Sequence, residues 1–135
     1  MNIDTQKLTE ALTAQDAELA ALLPASDEVA TEPGIINIHA RYDGGIDTVS
    51  LRFSLIRPLN LRAALTSFLH VDNNGDIHLL ALGATRMGST SGVSGDLARK
   101  DIRRLYGGQT LAAWVLVRPT EGEPIQDFAE VQIPR

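Results

Sequence analysis

The chain has no cysteine. That absence excludes disulfides, thiolate-bound zinc and cysteine nucleophiles, and it leaves the redox compartment open. Aromatic residues are scarce, with three Phe, two Tyr and one Trp among 135 residues. A stacking platform for single-stranded nucleic acid needs more. No apolar run approaches the ~20 residues of a membrane span, so no membrane partner is expected. The first residues carry Asp4, Lys7 and Glu10 where a secretory leader would be basic and then apolar. A soluble, cytoplasmic protein is the expectation.

Catalytic signatures are also missing. The run Gly88-Ser89-Thr90-Ser91-Gly92 lacks the spacing of a nucleophile elbow. Gly88-x3-Gly92-x2-Gly95 is neither the dinucleotide fingerprint nor a P-loop, since no Gly-Lys-Ser/Thr follows. Most acids lie in the two ends of the chain, so paired-carboxylate hydrolysis has no obvious cleft to occupy. The sequence therefore leans toward a non-catalytic protein, with an enzyme left as the alternative and no cofactor or catalytic residue assigned.

Metal binding gets little support. Asp72, Asn74 and Asp76 have the one-three-five spacing of a calcium loop. Ile77 then replaces the sharp-turn glycine, and Gly83 replaces the bidentate glutamate. His70 and His78 flank the Asn73-Asn74-Gly75 turn. A three-residue loop closed by a bulge would put the two imidazoles on one face, whereas a two-residue turn would put them on opposite faces. No metal site is assigned.

What the chain does have is segregated charge. The net charge is −5. Residues 1–34 carry seven acids and one Lys, and residues 119–135 carry four acids and one Arg. Residues 35–118 carry ten bases against six acids, so a basic body lies between acidic ends. Arg outnumbers Lys ten to two, which favours planar, bidentate contacts with carboxylate or phosphate.

A chain of this length fits one domain and can bury roughly two thirds of its unfolded surface. We divide it into an N-terminal helix over 1–23, an acidic linker over 24–34 and a sheet-containing body over 35–135. Asp4 or Thr5 can cap the helix, which carries Leu8, Leu12, Leu19, Leu22 and Leu23 on one stripe and stops before Pro24. Residues 35–42 and 46–56 alternate around Asp43-Gly44-Gly45 as a hairpin. Ile36, Ile38 and Ala40 share one face and Ile35, Asn37, His39 and Arg41 the other, while Val49, Leu51, Phe53 and Leu55 point inward and Ser50, Arg52 and Ser54 outward. Pro58 is expected to break the run, with a short helix over 59–69 giving way to a strand near Phe68. Strands are expected at 77–82, 110–118 and 125–133, the last at an edge. The fold class is α+β: an antiparallel sheet of about five or six strands in hairpins, with the N-terminal helix and a second helix near 95–106 packed on it.

The segment of functional interest is 83–106. A Gly/Ser/Thr loop feeds a helix whose Arg99 and Arg103, and Lys100 and Arg104, lie four apart and so neighbour one another on a helix surface. Arg86, Ser89, Ser91, Ser94, Arg99, Lys100, Arg103 and Arg104 are the candidate binding residues. They suit a binding or assembly module that contacts an acidic protein, or less favourably a nucleic acid. Alternatively, the loop 88–95 could cradle the anion of a small phosphate ligand. The leucine stripe of the first helix would serve self-association.

Overall fold

The computed structural model describes residues 3–15, 30–31, 36–85, 89–93 and 101–135. Seven strands and two helices occur among them. They are α1 (Thr5–Gln15), β1 (Ala30–Thr31), β2 (Ile36–Asp43), β3 (Thr48–Val71), β4 (Ile77–Thr85), β5 (Ser89–Val93), α2 (Ile102–Tyr106), β6 (Thr110–Pro119) and β7 (Ile125–Gln132).

The long strand β3 organises the molecule. Its first half pairs antiparallel with β2, from Asp43↔Thr48 to Ile36↔Leu55, and β5 lies along its other edge. Its second half pairs antiparallel with β6 and β4. β7 continues that sheet antiparallel to β6, and β1 adds a two-residue parallel pair outside β7. β1 covers only Ile125 and Gln126 of β7, and among the described residues no strand pairs with the rest of that side.

The expected helix over 59–69 is a strand. Leu61, Ala64, Leu65 and Phe68 have helical spacing, but both faces of this strand are buried, and a two-sided apolar strand mimics that spacing. Leu61, Ala64 and Phe68 join one core cluster and Leu65 and Leu69 the other. Pro58 does not end the strand because it falls between ladders. The β2 ladder stops at Leu55, the β6 ladder starts at Leu61, and the β5 register shifts between Ser54 and Leu59. A residue without an N–H is tolerated where no ladder bond is required.

Burial produces three layers. Val49, Leu51, Phe53 and Leu55 of β3, with Ile36 of β2, face Leu111, Ala113, Val115 and Val117 of β6. On the other side of β6, Ala112, Trp114 and Leu116 meet Leu8 and Leu12 of α1. All seven residues from Leu111 to Val117 are buried, as the unbroken apolar run of a central strand requires. Trp114 donates its indole N–H to Gln126 Oε1 at 3.1 Å, so both buried polar groups are satisfied. Ser67, also buried, sits at the bulge where the β3–β4 register shifts, and its hydroxyl lies 3.0 Å from the Leu80 carbonyl oxygen.

α1 starts where its cap allows. Asp4 Oδ1 accepts from the amides of Gln6 at 3.0 Å and Lys7 at 3.2 Å. Ile3 packs into the same cluster as Leu8, which is the staple arrangement for a helix entry. The stripe residues Leu19, Leu22 and Leu23 lie outside the described residues, as does most of the 24–34 linker. The two helices pack on opposite faces of the larger sheet, since Ile102 of α2 belongs to the inter-sheet cluster. α2 is shorter than the expected second helix. Asp101 has φ +64°, a left-handed backbone that a continuing α-helix cannot contain. Its end is glycine-dependent: Gly108 has φ +80°, and a Cβ on Gly107 would meet the Arg103 carbonyl oxygen at 2.5 Å.

Among the described residues, no helix is long and apolar enough to cross a membrane.

Candidate functional site

The eight residues singled out from the sequence separate into two groups. Arg86, Ser94, Arg99 and Lys100 lie outside the described residues, and so do the side chains of Ser89 and Ser91. The backbone of Ser89–Val93 is strand β5, with Asn60↔Ser89 and Leu59↔Thr90 in register. Residues 89–93 are thus strand rather than part of an open loop.

Arg103 and Arg104 are both on α2, and both have intramolecular partners. The Arg103 guanidinium donates to the Arg135 carbonyl oxygen through Nε at 2.8 Å and also through Nη2. Arg104 Nη2 pairs with Asp101 Oδ2 at 3.3 Å. The Arg103 amide donates to Asp47 Oδ1 at 2.9 Å. Asp47, from the β2–β3 turn, thereby caps α2 in place of Asp101, whose side chain makes no capping bond. Tyr42 donates its hydroxyl to the same oxygen at 2.6 Å. That bond, with partial burial, raises the Tyr42 hydroxyl above its ordinary value. The bonds from Tyr42 and then from the Arg103 amide hold the Asp47 carboxyl below the usual carboxylate value. Arg103 therefore helps to lock the hairpin turn to α2 and the end of β7.

A concavity lies elsewhere among the described residues, along the β2–β3 hairpin, where Ile38, Ala40 and Val49 line it together with residues of the outer face. It is a groove of about 810 Å³, within the size range of ligand sites. His39, Arg41, Ser50 and Arg52 line it, and Ile46 stands at its end. The register fixes this grouping. His39 lies opposite Arg52, Arg41 opposite Ser50, and Asp43 opposite Thr48. All six side chains alternate with the inward-facing Ile38, Ala40, Val49 and Leu51, so they share the outer face. Asp43 Oδ1 accepts from the Gly45 amide at 2.9 Å, which ties this carboxylate into the turn. Asn37 brings its side-chain amide to His39 Nε2 at 3.1 Å. Ile46 stays 69% exposed. The outward positions of the hairpin include His39, Arg41 and Arg52 together with Asp43, Thr48 and Ser50. A strand pattern names a face without showing that it is concave.

A second cluster closes the β3–β4 turn. His70 and His78 lie directly opposite one another, so the imidazoles share a face, with ring centroids 5.9 Å apart. The loop is wider than a two-residue turn, because Asp72 N–H bonds the Asp76 carbonyl at 3.0 Å. His70 Nε2 lies 2.5 Å from Gln109 Oε1, and Tyr106 packs on its ring. His78 Nε2 lies 2.9 Å from Asp72 Oδ2. This contact, followed by the Asp76 amide, holds the Asp72 carboxyl below its ordinary value. Lys7 of α1 reaches the Asn74 carbonyl and Asp76 of the same turn. Among the described residues, no group of three or more His, Asp or Glu side chains is placed to hold a metal ion. The turn is bound up in its own hydrogen bonds.

Fold and groove together describe a three-layer α+β protein with a basic concave hairpin face. Comparison with known proteins matches the chain to no family and to no curated relative.

Proposed function

We propose that the protein is a non-catalytic binding module that docks an acidic protein partner on the outer face of its β2–β3 hairpin. The observation that carries this reading is the groove lined by His39, Arg41 and Arg52. Opposite and diagonal cross-strand neighbours are close enough to act on one ligand, and a concave cationic surface concentrates anionic partners. The exposed Ile46 at the groove's end offers an apolar contact of the kind that interfaces bury.

Two described parts of the segment 83–106 meet the hairpin that carries this groove. Val93 is in register with Phe53, the neighbour of Arg52. The Arg103 amide is bonded to Asp47, the neighbour of Thr48. A protein partner suits the groove better than nucleic acid, because no Phe, Tyr or Trp among the described residues lines it and base stacking would need one.

The test uses a fluorescent octaglutamate peptide and polarisation at about 50 and about 300 mM salt. Wild type is expected to bind at low salt and to weaken at high salt. Arg41→Glu/Arg52→Glu is expected to lose at least about tenfold, since it replaces attraction by repulsion on the groove face. Arg104→Glu, outside the groove lining, should lose far less. Undiminished binding by the double variant would overturn the assignment of the groove.

A further inference from the structure

We propose that Asn74 is a site of self-modification: its side-chain amide is lost to attack by the Gly75 backbone nitrogen, and Lys7 of α1 promotes that step. The site lies in the β3–β4 turn and is independent of the hairpin groove.

Sequence and exposure select the residue. The chain has five asparagines, at 2, 37, 60, 73 and 74. An asparagine side chain and the next backbone nitrogen are already tethered at ring-closing distance. A Cβ on the following residue crowds that approach, and glycine has none. Asn2, Asn37, Asn60 and Asn73 are followed by Ile, Ile, Leu and Asn, so only Asn74 precedes glycine. Asn74 is exposed, and among the described residues nothing holds its side-chain amide.

The fold adds a cation at the reacting peptide. To attack, the Gly75 nitrogen must shed its proton. The negative charge that develops is shared with the Asn74 carbonyl oxygen, because both atoms belong to one resonant peptide unit. Lys7 Nζ lies 3.4 Å from that oxygen, and a Cβ on Gly75 would meet the same ammonium at 3.0 Å. A cation held where charge develops stabilises it. Lys7 is held there by α1, whose cap Asp4 accepts from its amide at 3.2 Å, and by Asp76 Oδ1 at 3.8 Å from its Nζ. One contact opposes the step. The Gly75 amide donates to the Asp72 carbonyl at 3.0 Å, so the reaction waits on the opening of that bond. Solvent-exposed turn bonds open at low free energy.

The bond from Gly75 N to Asn74 Cγ forms and the Cγ–Nδ2 bond breaks. Ammonia leaves, carrying the proton that the Gly75 nitrogen gave up. Water then opens the resulting succinimide at Cγ, giving aspartate, or at the main-chain carbonyl, giving isoaspartate. Either product brings a new carboxylate into a turn that already holds Asp72 and Asp76. The isoaspartate product also lengthens the main chain within that turn.

The experiment incubates the full-length protein in mildly alkaline buffer, with and without urea, and follows each asparagine by peptide mapping and mass spectrometry. In native buffer Asn74 should convert at least about tenfold faster than Asn37, Asn60 or Asn73, with isoaspartate among the products. Lys7→Gln keeps much of the stem and removes the charge, and it should slow native conversion at least about threefold. Lys7→Arg keeps the charge and should stay within about twofold of wild type. Thermal melts of both variants show that they fold. In urea, wild type and Lys7→Gln should convert Asn74 at equal rates, since α1 no longer brings Lys7 to the turn. Native conversion of another asparagine as fast as Asn74 would overturn the site. A native rate indifferent to Lys7→Gln, or a difference that persists in urea, would overturn the role of Lys7 and with it the claim that the fold promotes the reaction.

Discussion

Asp47 and Asp72 make comparable contributions in two different turns. Asp72 closes its turn by accepting from the Asn74 and Asp76 amides, Asp47 accepts from the Arg103 amide of α2, and each also takes a side-chain donor, His78 for Asp72 and Tyr42 for Asp47. Each is held below the ordinary value of 3.8. The folded protein therefore binds these protons less readily than the unfolded chain. The stability they contribute is fully present above the unfolded value and is lost as pH falls through the lowered folded value. Melting temperature should accordingly fall steeply below about pH 4 in the wild type. Asp47→Asn and Asp72→Asn should each flatten that fall, because asparagine keeps an acceptor but does not titrate. Asparagine also tolerates the left-handed backbone at residue 47, where φ is +52°. Calorimetry across the acid range checks this, and slopes identical to wild type would remove both carboxylates from the account. Asp72 falls in a turn that the sequence marks, but the role of Asp47 was not legible. Asp47 lies 56 positions from the amide it caps, and no local pattern reports a partner at that distance.

At the scale of elements, one-sided patterns were legible and two-sided ones were not. α1 could be read because its leucines recur on one stripe and Asp4 stands at its start. The β2–β3 hairpin could be read because inward apolar residues alternate with outward polar ones. Residues 59–69 were misread because burial on both faces erases the alternation that marks a strand. Residues 89–93 were misread because their Gly/Ser/Thr composition is that of a loop, while strand pairing depends on a neighbouring edge. The reading of α1 carries a quantitative expectation. Leu12 is fully buried in the cluster with Trp114 and Leu116. Leu12→Ala should cost about 2–5 kcal/mol, the range for a cavity in a packed core. Glu10→Ala on the exposed side of the same helix should cost under about 0.5 kcal/mol. Urea unfolding of both variants checks this, and a loss below about 1 kcal/mol for Leu12→Ala would mean that α1 does not hold the third layer.

For the molecule as a whole, the shared strand sets the expectation. Thr48–Leu55 of β3 pairs with β2 and forms one wall of the groove, while Leu61–Leu69 of the same strand pairs with β6 at the centre of the larger sheet. The inter-sheet core draws residues from both halves. The hairpin cannot leave without exposing Val49, Leu51 and Phe53 together with the β6 residues they cover. Both sheets should therefore unfold in one cooperative transition. Trp114 provides the test, because it is the single tryptophan and lies on the α1 face of β6, away from the groove. Its fluorescence and the far-ultraviolet dichroism of the strands should give coincident thermal curves. A ligand held by Arg41 and Arg52 should move both curves upward together, since anything that binds only the folded state stabilises all of what folds with it. Two separated transitions, with only the earlier one responding to ligand, would show that β3 divides near Pro58 into two independently folding halves. The groove would then belong to a hairpin that is stable apart from the α1-covered sheet.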